Sequence, residues 1–190
     1  MRKYLKKKNL SKKLSILIVG ATGFVGSNLL YFLSKYKYDL TAISKNSNLK
    51  IKKKNISHIK IDVSKIKDLK KKIKKEYDII INLSGYVDHK NKKKVYDVHY
   101  KGAKNLINFF KDKNIQQFIQ IGTSEMYGQV TKPSKESDPI LPSSPYAASK
   151  VAFDMHLVSI HKFLEFPMNI IRPSNAYCPG QLLHRIIPRT

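Results

Sequence analysis

An α/β fold, a doubly wound parallel sheet with helices on both faces, is what this sequence predicts, and three observations carry the prediction. Short apolar runs alternate with amphipathic stretches along most of the chain, as strands and crossover helices do in a parallel sheet. The run Ile79–Leu83 is apolar but for Asn82, the mark of a strand buried on both faces. Three glycines, Gly20, Gly23 and Gly26, stand between the first apolar run and the first amphipathic stretch, where a strand must turn sharply into a helix.

Taken in order, Ile16–Val19 is the first strand and Phe24–Lys35 the helix after it. Leu40–Ser44 and His58–Ile61 are the next strands, joined by a lysine-rich connection of little pattern. Across 64–76, Ile66, Leu69 and Ile73, with Tyr77 beyond, recur at helical spacing and leave the lysines outward. The strand at 79–83 leads to a longer helix over Lys93–Lys111 and then the strand Phe118–Ile121. Residues 122–144 are a polar, proline-bearing loop, followed by a helix over Pro145–Phe163 and a sixth strand, Met168–Ile171. The stretch from Pro173 to Thr190 holds three prolines and no clear element. No internal repeat or change of composition marks a second domain, so one domain over 14–190 is expected, preceded by a basic tail, 1–13.

With 190 residues and 42% apolar composition, the chain can bury one sizeable core; a disordered chain, a collagen-like fibre and a disulfide scaffold are excluded. The single cysteine, Cys178, forms no internal bridge, and no apolar run approaches the roughly 20 residues of a membrane span. The expectation is a cytoplasmic protein. Its net charge of +24 rests on 33 lysines and only four arginines. Residues 1–135 carry 32 bases against 9 acids, whereas 136–190 carry 5 against 4. Nucleic-acid readers favour arginine for its bidentate geometry, so the lysine excess reads as codon bias on solvated helix faces, with polyanion binding as the alternative.

Gly20-Ala21-Thr22-Gly23-Phe24-Val25-Gly26 has the G-x-x-G-x-x-G spacing, in which glycines let the backbone approach a pyrophosphate at a helix N-terminus. The second strand ends in Ser44-Lys45, without the carboxylate that binds the ribose 2′-hydroxyl of NAD. A hydroxyl and a cation there suit a 2′-phosphate, so NAD or NADP is expected, with NADP favoured. Asp62 and Val63 close the third strand at the same sheet edge, where the aspartate either accepts from an adenine amino group or caps the next helix.

Tyr146 and Lys150 in Tyr146-Ala147-Ala148-Ser149-Lys150 fall on one helix face. An ammonium beside a phenol lowers its pKa from about 10 toward working pH, making a general base for a hydroxyl whose carbon loses hydride. Gly122-Thr123-Ser124-Glu125-Met126-Tyr127-Gly128 follows a strand at the carboxyl edge, where open α/β sheets bind ligands; simple turn chemistry is the other reading of Thr123 and Ser124.

In this order and spacing, GATGFVG, TSEMYG, SPYAASK and IIRPSNAYCPG resemble the extended short-chain dehydrogenase/reductase family, and within it the NAD(P)-dependent nucleotide-sugar epimerases and dehydratases. The similarity runs from about Ser15 to the end. It implies a Rossmann-type fold and a transient 4-keto sugar, with Tyr146 as catalytic base, Lys150 on the nicotinamide ribose and Thr123 on the substrate hydroxyl. It puts the glycine loop, Leu83, Ser84 and Gly85 around the cofactor, and Asn175 against the nucleotide diphosphate. In the 4,6-dehydratases a Thr-Asp/Ser-Glu trio performs the elimination; Ser124 and Glu125 stand in those places, although other branches also carry Thr-Ser-Glu. The resemblance further implies a homodimer and a nucleotide-sugar substrate; no specific nucleic acid and no metal are expected.

Several positions depart from the family pattern. His99 replaces an asparagine that helps order the site, and Cys178 stands where glycine is usual. Members are much longer than 190 residues, so the substrate lid is expected to be largely missing and the substrate domain incomplete. The competing reading is a catalytically impaired fragment, or a dinucleotide- or polyanion-binding module without turnover.

Overall fold

Strand-forming Ile, Leu and Val dominate the segments that lie deepest in the protein, and their alternation decides which side of the sheet each residue serves. The computed structural model describes residues 13–45, 49–86, 91–178 and 180–181. In chain order the elements are β1 (Ser15–Val19), α1 (Phe24–Leu33), β2 (Asp39–Ser44), β3 (Ile56–Lys60), α2 (Ile66–Lys72), β4 (Ile79–Asn82), α3 (Lys92–Tyr96), α4 (Ala103–Phe110), β5 (Gln117–Ile121), α5 (Pro145–Leu164) and β6 (Met168–Ile171). The expected basic tail lies outside the described residues except for Lys13, as does the end of the chain beyond Gln181.

All six strands are parallel, in the order β3-β2-β1-β4-β5-β6. The chain enters at the centre, winds outward to β3, then crosses back to β4 and winds the other way. That reversal between β1 and β4 opens a crevice at the carboxyl ends of the strands, the ligand site of doubly wound sheets.

The core has two layers. Leu17, Val19, Ile43, Ile80 and Phe118 pack with Leu69 of α2, Leu106 and Phe110 of α4, and Phe153 and Leu157 of α5. On the other face Ile16, Ile18, Leu40, Ala42 and Ile81 pack with Leu30 of α1. Among the described residues that second face carries one helix, and Ile171 of β6 on it remains 49% exposed. At the amino edge, buried Asp78 accepts the Ser15 backbone N–H (2.9 Å) and the Gln116 side-chain amide (3.0 Å), tying together the starts of β1, β4 and β5.

Three elements differ from the sequence reading. The helix expected over 64–76 keeps its α-helical form only over Ile66–Lys72; Ile73 and Tyr77 are still buried, with the backbone extended from Ile73. The expected continuous helix over 93–111 is interrupted by a π-helical segment, Asp97–Gly102. The wider turn brings both His99 and Gly102 inward, and Gly102 lies so close to Val63 that a Cβ would fall 2.9 Å from its Cγ2. Within the loop 122–144, a 3-10 turn forms over Ser124–Tyr127, with the Thr123 hydroxyl accepting the Glu125 N–H at 3.2 Å.

Leu106 is fully buried between α4 and the sheet. Leu106→Ala is expected to cost about 2–5 kcal/mol through lost transfer energy and a residual cavity. Urea denaturation followed by circular dichroism measures it, and a loss under about 1 kcal/mol would mean that the layer collapses around the gap.

Candidate active site

Gly20 ends β1 with φ +81°, and its N–H and that of Ala21 both donate to the Ile43 carbonyl at the end of β2 (2.9 and 3.1 Å). On the opposite side a Cβ at Gly20 would lie 2.7 Å from the Leu83 carbonyl oxygen after β4. Gly26 is equally confined, since a Cβ there would come within 2.2 Å of the Gly20 carbonyl oxygen. These two glycines draw the loop flat against the start of α1. Gly23 is the N-cap of α1; it brings no capping side chain, and the first turn carries no acid. The first N–H groups of α1 therefore meet the crevice with the positive end of the helix dipole, next to exposed Val25 and half-buried Thr22 and Phe24. A pyrophosphate fits this cradle in both shape and sign.

The ends of β2 and β3 are arranged differently from expectation. Ser44 is 4% exposed and its hydroxyl pairs with His58 Nε2 at 2.8 Å, so it is turned into the sheet. Lys45 forms an ion pair with Asp62 at 2.9 Å. Asp62 also accepts the Ser64 N–H and hydroxyl (3.1 and 2.7 Å), a local turn leading into α2. Burial pushes the Asp62 carboxyl up, but these hydrogen bonds and the Lys45 charge together outweigh it and hold the group below the usual aspartate range. Val63 is buried in the core, and its carbonyl accepts the Asn105 side-chain amide at 2.9 Å.

After β4 the chain stays small and tightly bonded. Asn82 donates to Gln120 of β5 (2.8 Å) and accepts from the Ser84 hydroxyl (2.6 Å) and N–H (3.2 Å), which curls Leu83-Ser84-Gly85 over the crevice. Tyr86 donates its backbone N–H to His99 Nε2 at 2.9 Å. The His99 ring proton therefore sits on Nδ1 and faces the Ser149 hydroxyl at 2.8 Å. Ser149 in turn donates to the Tyr146 carbonyl at 2.7 Å, and the His99 ring meets the Tyr146 ring edge to face at 5.1 Å. His99, which carries no expected role in the sequence, is a bridge between the loop after β4 and the first turns of α5. The π-helical segment that turns it inward leaves no local trace in the sequence.

Helix α5 begins at Pro145, with the Ser144 hydroxyl accepting the Ala147 N–H at 3.0 Å. Tyr146 is half-buried. Lys150, 5% exposed, donates to the Ile121 carbonyl at 2.9 Å, which locks α5 to the end of β5. Burial pushes the Lys150 ammonium down to about 8, against a nearby Asp154 that favours its charged form. Asp154 lies one further turn along the same face, 1% exposed; burial raises it to about 6 despite the opposing charges of Lys150 and Arg172. A titratable residue four positions beyond Lys150, on the inward stripe of a helix, was the available sequence signal for Asp154.

Thr123 is buried beside Lys150's anchor strand, whereas Ser124 is half-buried and Glu125 exposed. Ser144 offers its hydroxyl to Glu125 at 3.5 Å. The Ser124 N–H donates to the Pro173 carbonyl (3.1 Å), so the segments after β5 and β6 run together. Arg172 donates to the Tyr127 hydroxyl (2.8 Å) and the Glu136 carbonyl (3.3 Å), bracing the loop. Asn175 is exposed on the segment after β6, and Cys178 reaches Asn28 of α1 at 3.1 Å, carrying that segment back toward the glycine loop. The glycine loop, the segment 83–85, the Thr123–Glu125 turn, Tyr146 and Lys150 thus share the carboxyl edge of β1, β4 and β5. Ser44 and Val63 are directed into the protein instead. Among the described residues no His, Cys, Asp or Glu cluster is placed to hold a metal ion, and no helix is long and apolar enough to cross a membrane.

Comparison with known proteins gives the same picture. A dTDP-D-glucose 4,6-dehydratase of Dictyostelium discoideum is 29% identical over 201 residues, covering 92% of this chain and 46% of that protein. The dTDP-glucose 4,6-dehydratase of Bacillus anthracis, solved in complex with NAD, superposes with a TM-score of 0.82 at 27% identity, covering 93% of this chain and 59% of that one. A UDP-N-acetylglucosamine 4-epimerase from Methanobrevibacter ruminantium gives 0.81 at 25% identity, with 92% and 59% covered. This chain thus spans about half the length of the first of these relatives and three fifths of each solved structure. Residues 16–190 match the NAD dependent epimerase/dehydratase family, and the chain belongs to it.

Proposed function

We propose that residues 14–190 form the cofactor-binding and catalytic domain of an NAD-dependent nucleotide-sugar 4,6-dehydratase. The observation that carries this reading is the Thr123-Ser124-Glu125 turn, set at the same sheet edge as Tyr146 and Lys150. The likeness to two dTDP-glucose 4,6-dehydratases supports it. When bound, NAD would accept the hydride leaving the sugar C4 and later return it to C6 of the dehydrated sugar, as C5 takes a proton from solvent. Tyr146 takes the C4 hydroxyl proton, favoured as phenolate by the Lys150 charge. The Thr123 oxygen is occupied by the Glu125 N–H, which leaves its hydroxyl hydrogen to donate to the sugar oxygen. Glu125 removes the C5 proton of the resulting 4-keto sugar. That proton balances the one departing with the C6 oxygen as water, and the neighbouring Ser124 hydroxyl passes it on. Asn175 and the segment after β6 face the nucleotide diphosphate. An epimerase would need only Tyr146, Lys150 and Thr123; the glutamate favours dehydration.

NAD rather than NADP is the better fit, reversing the preference drawn from Ser44-Lys45. Ser44 is bonded to His58, and the Asp62 carboxylate beside Lys45 would repel a 2′-phosphate. A homodimer through α5 fits its exposed Met155 (39%) and Phe163 (85%) and the neighbouring Tyr96 (49%), which stacks on Tyr100 at 5.0 Å. A cytoplasmic setting suits a nucleotide-sugar substrate.

In calorimetry NAD should bind about tenfold or more tightly than NADP. Gly23→Asp, which places a negative charge at the α1 N-terminus, should abolish binding of both; Asp62→Asn, which frees Lys45, should narrow the gap. Equal affinities in the parent chain would restore the NADP reading.

Turnover of dTDP-glucose with NAD in D2O, followed by NMR, should give a C6 methyl group and solvent deuterium at C5. Tyr146→Phe should lower the rate by about 10²–10⁴. Glu125→Gln should abolish C5 exchange while leaving NAD affinity intact; exchange that persists would remove Glu125 from the elimination.

Phe163→Glu should convert a dimer to monomer in sedimentation velocity. A parent chain that sediments as a monomer across the micromolar range would remove the dimer.

A further inference from the structure

Tyr146, Lys150 and Asp154 succeed one another at four-residue intervals on the inward face of α5. The first two serve the proposed chemistry; Asp154 has no part in it, yet is the most deeply buried of the three, at 1% exposure. Neither of its carboxylate oxygens has a hydrogen-bond partner among the described residues. Space for it is provided by Gly122, the residue after β5, where a Cβ would fall 2.5 Å from Asp154 Oδ2. The Gly122 N–H is itself committed to the Ile171 carbonyl at 2.8 Å, so it does not serve the carboxylate.

A buried carboxylate without hydrogen bonds is expensive, and an apolar or amide side chain of similar size would spare that cost. A carboxylate in such a place is offset only by a nearby positive charge. Two cationic groups act on it: Lys150 on its own helix and Arg172 on the segment after β6. From the 3-10 turn, the Tyr127 hydroxyl faces Arg172 and accepts its Nη1 at 2.8 Å. Arg172 is thus bound elsewhere through Nη1, to Tyr127 and Glu136, although its Nε is buried without a partner. Lys150 is enclosed, with the Ile121 carbonyl accepting from its Nζ and no carboxylate in ion-pair contact among the described residues.

We propose that Asp154 is a positioning residue for the Tyr146–Lys150 pair: its enclosed carboxylate is the counter-charge that keeps the Lys150 ammonium protonated and seated on the Ile121 carbonyl. The role of that pair rests on the function proposed above, whereas the electrostatic link between Asp154 and Lys150 does not. Burial raises Asp154 to about 6 and lowers Lys150 to about 8, so both groups carry charge between those values. Below about pH 6 Asp154 takes a proton and Lys150 loses its counter-charge; above about pH 8 Lys150 gives up its own proton. Full pairing is confined to the window around neutrality.

The test is a ¹³Cε-lysine NMR titration of the full 190-residue chain, with Lys150→Arg to assign the resonance. In the parent chain Lys150 should titrate near 8, and its resonance should also register the Asp154 ionisation near 6. Asp154→Asn should move the Lys150 midpoint down by about one pH unit or more, the size expected for a lost opposite charge, and Asp154→Glu should restore it in part. The thermal midpoint of Asp154→Asn should be unchanged or raised at pH 7, because a buried charge is removed. A Lys150 midpoint indifferent to Asp154→Asn would overturn the proposal. If Asp154→Asn does not fold, a parent Lys150 resonance that shows no inflection near pH 6 would overturn it equally, and one that does would support it. Neither readout needs cofactor or sugar, so failure here leaves the dehydratase reading standing, and absent turnover leaves this one standing.

Discussion

Gly20 is wedged between the ends of the two strands that flank β1. Its N–H is held by Ile43 at the end of β2, and a Cβ on it would collide with the Leu83 carbonyl after β4. No side chain fits, and the positive φ of 81° suits glycine alone. Because β1 is the strand from which the sheet winds in both directions, this contact decides where the crevice opens. It also turns the chain into α1 within a few residues, so that the helix N-terminus faces the crevice. Gly26 completes the arrangement by letting α1 lie on the Gly20 carbonyl.

The other side of the crevice depends on α5. A twenty-residue helix packs Phe153 and Leu157 against the sheet and adds a hydrogen bond from a buried ammonium, Lys150 to the Ile121 carbonyl. A charge so enclosed interacts strongly with its surroundings, because water no longer screens it. The same enclosure lowers the hold of Lys150 on its proton, and a carboxylate one turn further along the helix opposes that loss.

Between these halves stands His99. Its two ring nitrogens join the loop after β4 to Ser149 of α5, and its ring supports Tyr146. An asparagine amide could offer one donor and one acceptor in the same place, but not a flat ring against the tyrosine. The π-helical segment at Asp97–Gly102 turns this side chain inward.

Much of this protein could be read along the chain, because the relevant interactions are local. Apolar runs and helical spacing foretold all six strands and the principal helices, and the glycine loop and the Tyr146–Lys150 spacing placed the two halves of the site on a turn and a helix face. What could not be read depended on neighbours distant in sequence. Ser44 looked like a phosphate ligand until β3 brought His58 beside it, and Lys45 looked like a free cation until Asp62 met it across 17 positions. Asp154 is enclosed because Gly122, 32 positions earlier, makes room for it, which no local pattern foretells. Periodicity and turn chemistry act within a few residues, so sequence determines elements and motifs. The protonation, pairing and burial of a charged group depend on what the fold packs against it, and only the tertiary structure decides that.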